Sequence, residues 1–227
     1  MLNTFLIIIN LQIFLYASNQ IILVVSDDFN AKKAKLRCFE AKKQVFKTTD
    51  VNLGKNGLAW GISHLEIKHD LNEPQKVEGD KKAPIGIFKL SKVFGYAKSN
   101  TTNMPYMQAT QNLICVDDAK HKNYNQIIQM PNIQPKSFEY MKRQDKQYEL
   151  GIVVQHNSIG KKNAGSCIFI HVQKHKDAPT AGCTSMKYED LQRVVEWLDK
   201  DKNPILIQVP KQYLDEVKSL YPELPLD

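Results

Sequence analysis

The apolar positions of this chain fall mostly into short runs separated by polar turns. Gln20-Ile-Ile-Leu-Val-Val25 is β-branched and ends in Ser26-Asp27-Asp28, the pattern of a buried strand followed by a turn. Ala34-Lys-Leu-Arg-Cys-Phe-Glu40 alternates loosely, as a half-buried strand does, with residues 43–47 as its hairpin partner. Gly54-Lys-Asn-Gly57 supplies turn chemistry, and residues 58–61 and 64–68 read as extended. Pro84 and Gly86 punctuate the entry to a further strand through Leu90. Residues 112–116, 151–155, 166–171 and 204–209 complete the strand series. The clearest helix spans residues 187–199, where Leu191, Val194, Val195 and Leu198 recur at helical spacing behind Glu189 and Asp190 in the first turn. A shorter helix is expected over residues 211–220. Many short strands with few helices predict a mainly β domain with mixed α/β content. No composition break divides the chain after its first residues, so residues 19–227 read as one domain.

Residues 1–18 have a different character. From Leu2 to Ala17 the chain is apolar apart from Asn3, Thr4, Asn10 and Gln12, carries no charge, and ends in the small residues Ala17 and Ser18. This is the pattern of an exported protein's signal peptide. It is short for a membrane span, which takes about 20 apolar residues. No Lys or Arg precedes the apolar stretch and Tyr16 is bulky beside the cleavage zone, so a retained N-terminal anchor is the main rival to a cleaved signal, ahead of an ordinary buried strand or helix. A signal or an anchor places the domain outside the cytoplasm, in the periplasm or cell envelope, with a membrane contact only through an uncleaved N-terminus.

Net charge is +7, which raises the question of a nucleic-acid partner. The lysines are scattered in pairs, such as Lys32-Lys33 and Lys161-Lys162, usually near acidic residues. With no basic helix or aromatic-interleaved basic strand, a solvated basic surface is the reading, without nucleic acid.

Cys38, Cys115, Cys167 and Cys183 do not make a disulfide-rich scaffold. With no Cys-x-x-Cys pair and no helical His pair, no metal site is expected. Cys38 and Cys115 are a candidate pair, and Cys167 reads by default as a buried free thiol. Cys183 differs in its surroundings. Gly182 before it permits close approach of a substrate, the amides around it can face a developing oxyanion, and the helix expected from Lys187 adds its N-terminal dipole. His171 ends an apolar strand twelve positions earlier, with His175 as reserve base. On spacing alone, a small buried hydrophobe remains the commoner role for such a cysteine. Asp117-Asp118 reads as turn capping, and His156-Asn157 as either a cleft wall or a turn.

Two blocks carry a family resemblance. Ile168-Phe-Ile-His171 followed by Thr180-Ala-Gly-Cys183-Thr-Ser-Met186 resembles the catalytic motif of YkuD-type L,D-transpeptidases. Asp80-Lys-Lys-Ala-Pro84-Ile-Gly86-Ile-Phe88 resembles a second block of that family, in the right order. Pro179-Thr-Ala-Gly-Cys183-Thr-Ser-Met186 is closest to a subgroup pattern, to which residues 56–61, 94–96, 115–118 and 151–154 are also similar. The chain departs from the better-characterised pattern at Val172, Ala181 and Ser185, which stand where glycine, histidine and arginine are usual.

The resemblance implies an L,D-transpeptidase fold, sandwich-like in its sheets, with a helix after the cysteine. It implies Cys183 as nucleophile, His171 as base, and backbone around Gly182 and Thr184 as oxyanion donors. Thr180, Met186, His175 and His156 are candidate substrate contacts. The implied substrates are peptidoglycan stem peptides, processed through a thioester without cofactor or metal. An amine of a second stem or a protein takes the acyl group. Water as acceptor, which would make the enzyme an L,D-carboxypeptidase, and a non-catalytic wall-binding module are the alternatives.

Overall fold

The structure, a computed structural model, describes residues 20–226. The expected signal or anchor over residues 1–18 lies outside that range. The strands are, in chain order, β1 (Gln20–Ser26), β2 (Lys33–Glu40), β3 (Lys43–Gln44), β4 (Thr49–Asn52), β5 (Leu58–Trp60), β6 (Ala83–Gly95), β7 (Tyr106–Gln108), β8 (Leu113–Val116), β9 (Ile127–Gln129), β10 (Phe138–Tyr140), β11 (Leu150–Val154), β12 (Phe169–Val172), β13 (Thr184–Met186) and β14 (Ile205–Pro210). Helix α1 (Tyr188–Trp197) lies between β13 and β14, and α2 (Leu214–Leu220) follows a short 3-10 turn.

Strand pairing closes on itself. The large sheet runs β1-β14-β6-β11-β12-β13-β4-β2, and β2 pairs back to β1. The expected sandwich is therefore corrected to a barrel-like ring. Closure leaves the ring strands without free edges, which a sandwich would have to protect by other means. β1 has a partner on each side, antiparallel β2 and parallel β14, and Ile21 to Val24 are almost fully buried between them. That explains why its sequence is an unbroken apolar run instead of an alternation.

Alternation on the other ring strands sends side chains to two cores. Val93, Ile152 and Ile170 join the main core with the apolar sides of α1 and α2, whereas Phe94, Val153 and Phe169 point into a second one. The second core is covered by the small sheet β10-β8-β9, through Leu113, Cys115 and neighbouring Met141. The candidate chemistry lies on this covered face.

Two expectations at element level change. Residues 64–68 form no strand, only an isolated bridge from Leu65 to Ile87. After Cys183 the chain first makes β13 and reaches α1 only at Tyr188. A strand of three residues is about 10 Å long, while a helix dipole acts within about one turn of its end. The helix is thus present where expected but does not support the Cys183 sulfur.

Candidate active site

β12 and β13 run parallel, with Ile170 opposite Thr184 and His171 opposite Ser185. Alternation then puts Phe169, His171 and Cys183 on one face of the sheet. Both His171 and Cys183 line a cavity of about 390 Å³. The sequence motif thus converges in space because two neighbouring strands share a register.

The turn before the sulfur is built by Thr180. Its amide donates to the Leu53 carbonyl (2.9 Å), and its hydroxyl donates to the Cys183 carbonyl (2.6 Å) while accepting the Gly182 N–H (3.1 Å). Gly182 has φ +143°, and a Cβ there would stand 3.0 Å from the Lys82 carbonyl oxygen. The two sequence blocks meet at this close approach, and only glycine fits it without displacing backbone.

The Cys183 sulfur is held from two sides. It accepts the Phe169 N–H at 3.3 Å and donates its thiol to the Cys167 carbonyl at 3.4 Å. Burial pushes the thiol up to about 12, and Glu139 acts in the same direction. The Phe169 N–H, Lys76 and Arg143 oppose this without reversing it. His171 is buried as well, and burial pulls its imidazole down to about 4 against the hydrogen bond to Val172. Its Nδ1 lies 2.8 Å from the Val172 carbonyl. A carbonyl only accepts, so Nδ1 carries the proton and Nε2 keeps its lone pair. At neutral pH the pair is an uncharged thiol and an uncharged imidazole.

Several wall residues carry no motif signal. Tyr148 packs edge-on against His171, with ring centroids 5.3 Å apart, and its hydroxyl donates to Glu139. Burial raises the Glu139 carboxyl, with the Tyr148 hydrogen bond opposing it. Arg143 lies over the Tyr148 ring at 5.0 Å and forks onto Asp145 through Nε (2.9 Å) and Nη2 (2.6 Å). Lys76, almost wholly buried, pairs with Asp80 at 2.5 Å, so the acidic residue of the second block fixes a cation on the cavity wall. Asp117 and Glu78 also line the cavity.

Other expected contacts are not brought together. His156 lies outside the cavity, buried, with Nε2 at 2.8 Å from the Ala164 carbonyl; it organises a loop. His175 sits in an exposed loop with Nδ1 against the Lys176 carbonyl, so it is no reserve base for this cavity. Met186 points into the main core. Thr180 lines the cavity but its hydroxyl is committed to the turn. Gly182, expected as a backbone oxyanion donor, has its N–H occupied by Thr180; Thr184, expected in the same role, has only its side chain, not its N–H, in the contact with Gln208 (2.6 Å). Asp118 caps a turn as expected, accepting the amides of Lys120 and Lys136. Ser185 is buried beside His171, with no partner for its hydroxyl among the described residues.

The cysteine pairing also differs. Cys115 is bonded to Cys167, and Cys38 is free. Cys38 belongs to the main core and Cys115 to the second, so the pair considered from the sequence is separated by the sheet itself.

A model of the L,D-transpeptidase catalytic domain, YkuD, matches residues 20–207, from the first residue of β1 into β14. The chain belongs to this family. The resemblance of the two sequence blocks therefore stands for the L,D-transpeptidase domain as a whole. No curated protein matches the chain. Among solved structures it is similar to a variant of the helical cell shape determining protein Pgp2 from Campylobacter jejuni, at 14% identity and a TM-score of 0.38. That match covers 84% of this chain and 47% of the other, so this chain spans about half of its length.

Proposed function

We propose that this L,D-transpeptidase-family domain is a cysteine acyltransferase of the cell envelope acting on peptidoglycan stem peptides. The observation that carries the reading is the placement of the Cys183 sulfur and the His171 imidazole on one face of one cavity. His171 Nε2 takes the thiol proton as the sulfur attacks the carbonyl carbon of an L-to-D peptide bond. Because the resting pair is uncharged, proton transfer accompanies attack. The Cys183 amide is the oxyanion donor at this turn, since the Gly182 amide is already bonded. Lys76 and Arg143 on the wall favour the developing negative charge. The C–N bond then breaks, the imidazolium returns its proton to the leaving amine, and a thioester remains. An amine of a second stem attacks the thioester and releases the thiol.

Hydrolysis is the second reading, favoured by Ser185. The usual pattern places an arginine there, whereas this chain buries a neutral hydroxyl beside the base. Without that cation the pocket lacks one means of holding an acceptor's carboxylate. Product analysis separates the readings. The purified protein is incubated with a tetrapeptide stem, with and without a D-amino acid as amine acceptor. Exchange of the terminal residue supports transfer, and trimming to the tripeptide under both conditions assigns hydrolysis. No cleavage of any L-to-D stem would remove both.

A further inference from the structure

We infer that the Cys115–Cys167 disulfide is a positioning element of the active site, holding the Cys167 carbonyl against the Cys183 sulfur so that the resting thiol points away from His171. Among the described residues the Cys183 thiol has two hydrogen-bond partners, and one of them is this carbonyl, at 3.4 Å. The other is the amide of Phe169, two residues further along the same chain (3.3 Å). Whatever fixes Cys167 therefore fixes both sides of the sulfur.

Cys167 adopts a left-handed backbone, φ +54°. A residue with a side chain adopts that conformation at a cost of about 1–2 kcal/mol, which its surroundings must offset. Three anchors do so here. The disulfide ties Cys167 to β8, in the small sheet that stands outside the ring. The Asn125 side chain accepts the Cys167 N–H at 2.9 Å, and its amide group donates to the carbonyls of His156 (2.9 Å) and Asn157 (2.8 Å). Ser166, the preceding residue, donates to Glu78 at 2.7 Å. The buried His156-Asn157 pair, an unassigned feature of the sequence, belongs to this scaffold: the Asn157 side chain donates to the carbonyls of Lys161 (2.9 Å) and Gly165 (3.0 Å).

The chemical consequence follows from the direction of the hydrogen bond. A thiol donating to a carbonyl is favoured in its protonated form, and the carbonyl competes with His171 Nε2 for the same proton. The disulfide thus sets a resting state from which the proton must turn towards His171 when substrate enters. A disulfide that merely stapled the fold would alter stability on removal and leave Cys183 chemistry unchanged. The ionisable groups around the sulfur are Glu139 of β10, Lys76, Arg143, Tyr148 and His171. All of them remain in the variants below.

The catalytic part of this inference rests on the proposed function; the thiol part does not. The test uses the full chain with Cys115→Ala and Cys167→Ala together, checked for a cooperative melt. Alkylation of Cys183 by iodoacetamide is followed against pH by peptide mass, and steady-state turnover of a tetrapeptide stem is measured alongside. The midpoint of the alkylation profile is expected to move down by at least about half a pH unit. kcat is expected to rise at least about threefold, with KM within about threefold, because the Cys167 carbonyl no longer competes with His171 Nε2 for the thiol proton. Mild phosphine reduction of the wild type should reproduce both changes, and reoxidation by glutathione disulfide should reverse them. Either readout unchanged in a folded variant overturns the inference. So does global unfolding on both mutation and reduction, which is the behaviour of a plain staple. If the wild type turns over no stem, the proposed function fails, and the alkylation profile alone still decides the inference.

Discussion

At neutral pH neither Cys183 nor His171 carries charge, because burial moves the two groups apart, the thiol up to about 12 and the imidazole down to about 4. A base at this value accepts protons only in acid, so kcat/KM should stay level from about pH 8 to 5 and fall below that, as His171 becomes protonated. A limb centred near 6.5, the ordinary histidine value, would contradict the buried neutral base. His171→Ala should lower kcat by about 10²–10⁴-fold, measured on a tetrapeptide stem, with the thiol still titratable. At this scale the sequence pointed to Cys183 and His171, which the structure brings to one cavity, because both residues sit in motif segments. It did not show Tyr148, Glu139, Arg143 or Lys76, which come from segments without a motif. Nor did it show that the Gly182 N–H is used internally, since that depends on the rotamer of Thr180.

The strands and helices explain why the motif spacing works. The residues between His171 and Cys183 return the chain so that β12 and β13 lie parallel and in register. On the other side of β12, Gly151 of β11 is paired with His171, and a Cβ at Gly151 would meet the Phe94 ring at 2.2 Å. Gly151→Ala should therefore cost about 1–3 kcal/mol by overpacking. It should lower the midpoint of a thermal melt and reduce activity through the displaced base strand. Long buried runs such as β1 and β14, and the periodic helix α1, were legible because their pattern is local. β4, β7, β9, β10 and β13 were not, because each is short and exists through a partner distant in sequence. The Cys115–Cys167 bond was hidden for the same reason, its two ends being 52 residues apart.

Over the whole molecule, ring closure joins the first described strand to the last, β1 beside β14, and a sandwich could not be told from a ring by strand count alone. The buried groups make the fold's stability depend on pH at both ends. His156 and His171 fall from 6.5 to about 4 on folding, so between those values the unfolded chain binds protons that the folded chain does not. Stability is then lost as pH falls through that window, by up to about 3 kcal/mol for each histidine. Cys38 and Cys183 rise from 9.0 to about 12, so the unfolded chain loses protons first and stability falls again above about pH 9. Urea titrations across pH should show a plateau between the two windows. A stability maximum near pH 5 would contradict these assignments.

The most direct test of the central claim is intact-protein mass spectrometry after mixing the protein with a tetrapeptide stem. A mass increase equal to the stem minus its terminal D-residue and one water, located on Cys183 and absent from Cys183→Ala, is the predicted result. Turnover with no adduct on Cys183, or an adduct that survives Cys183→Ala, would contradict the account.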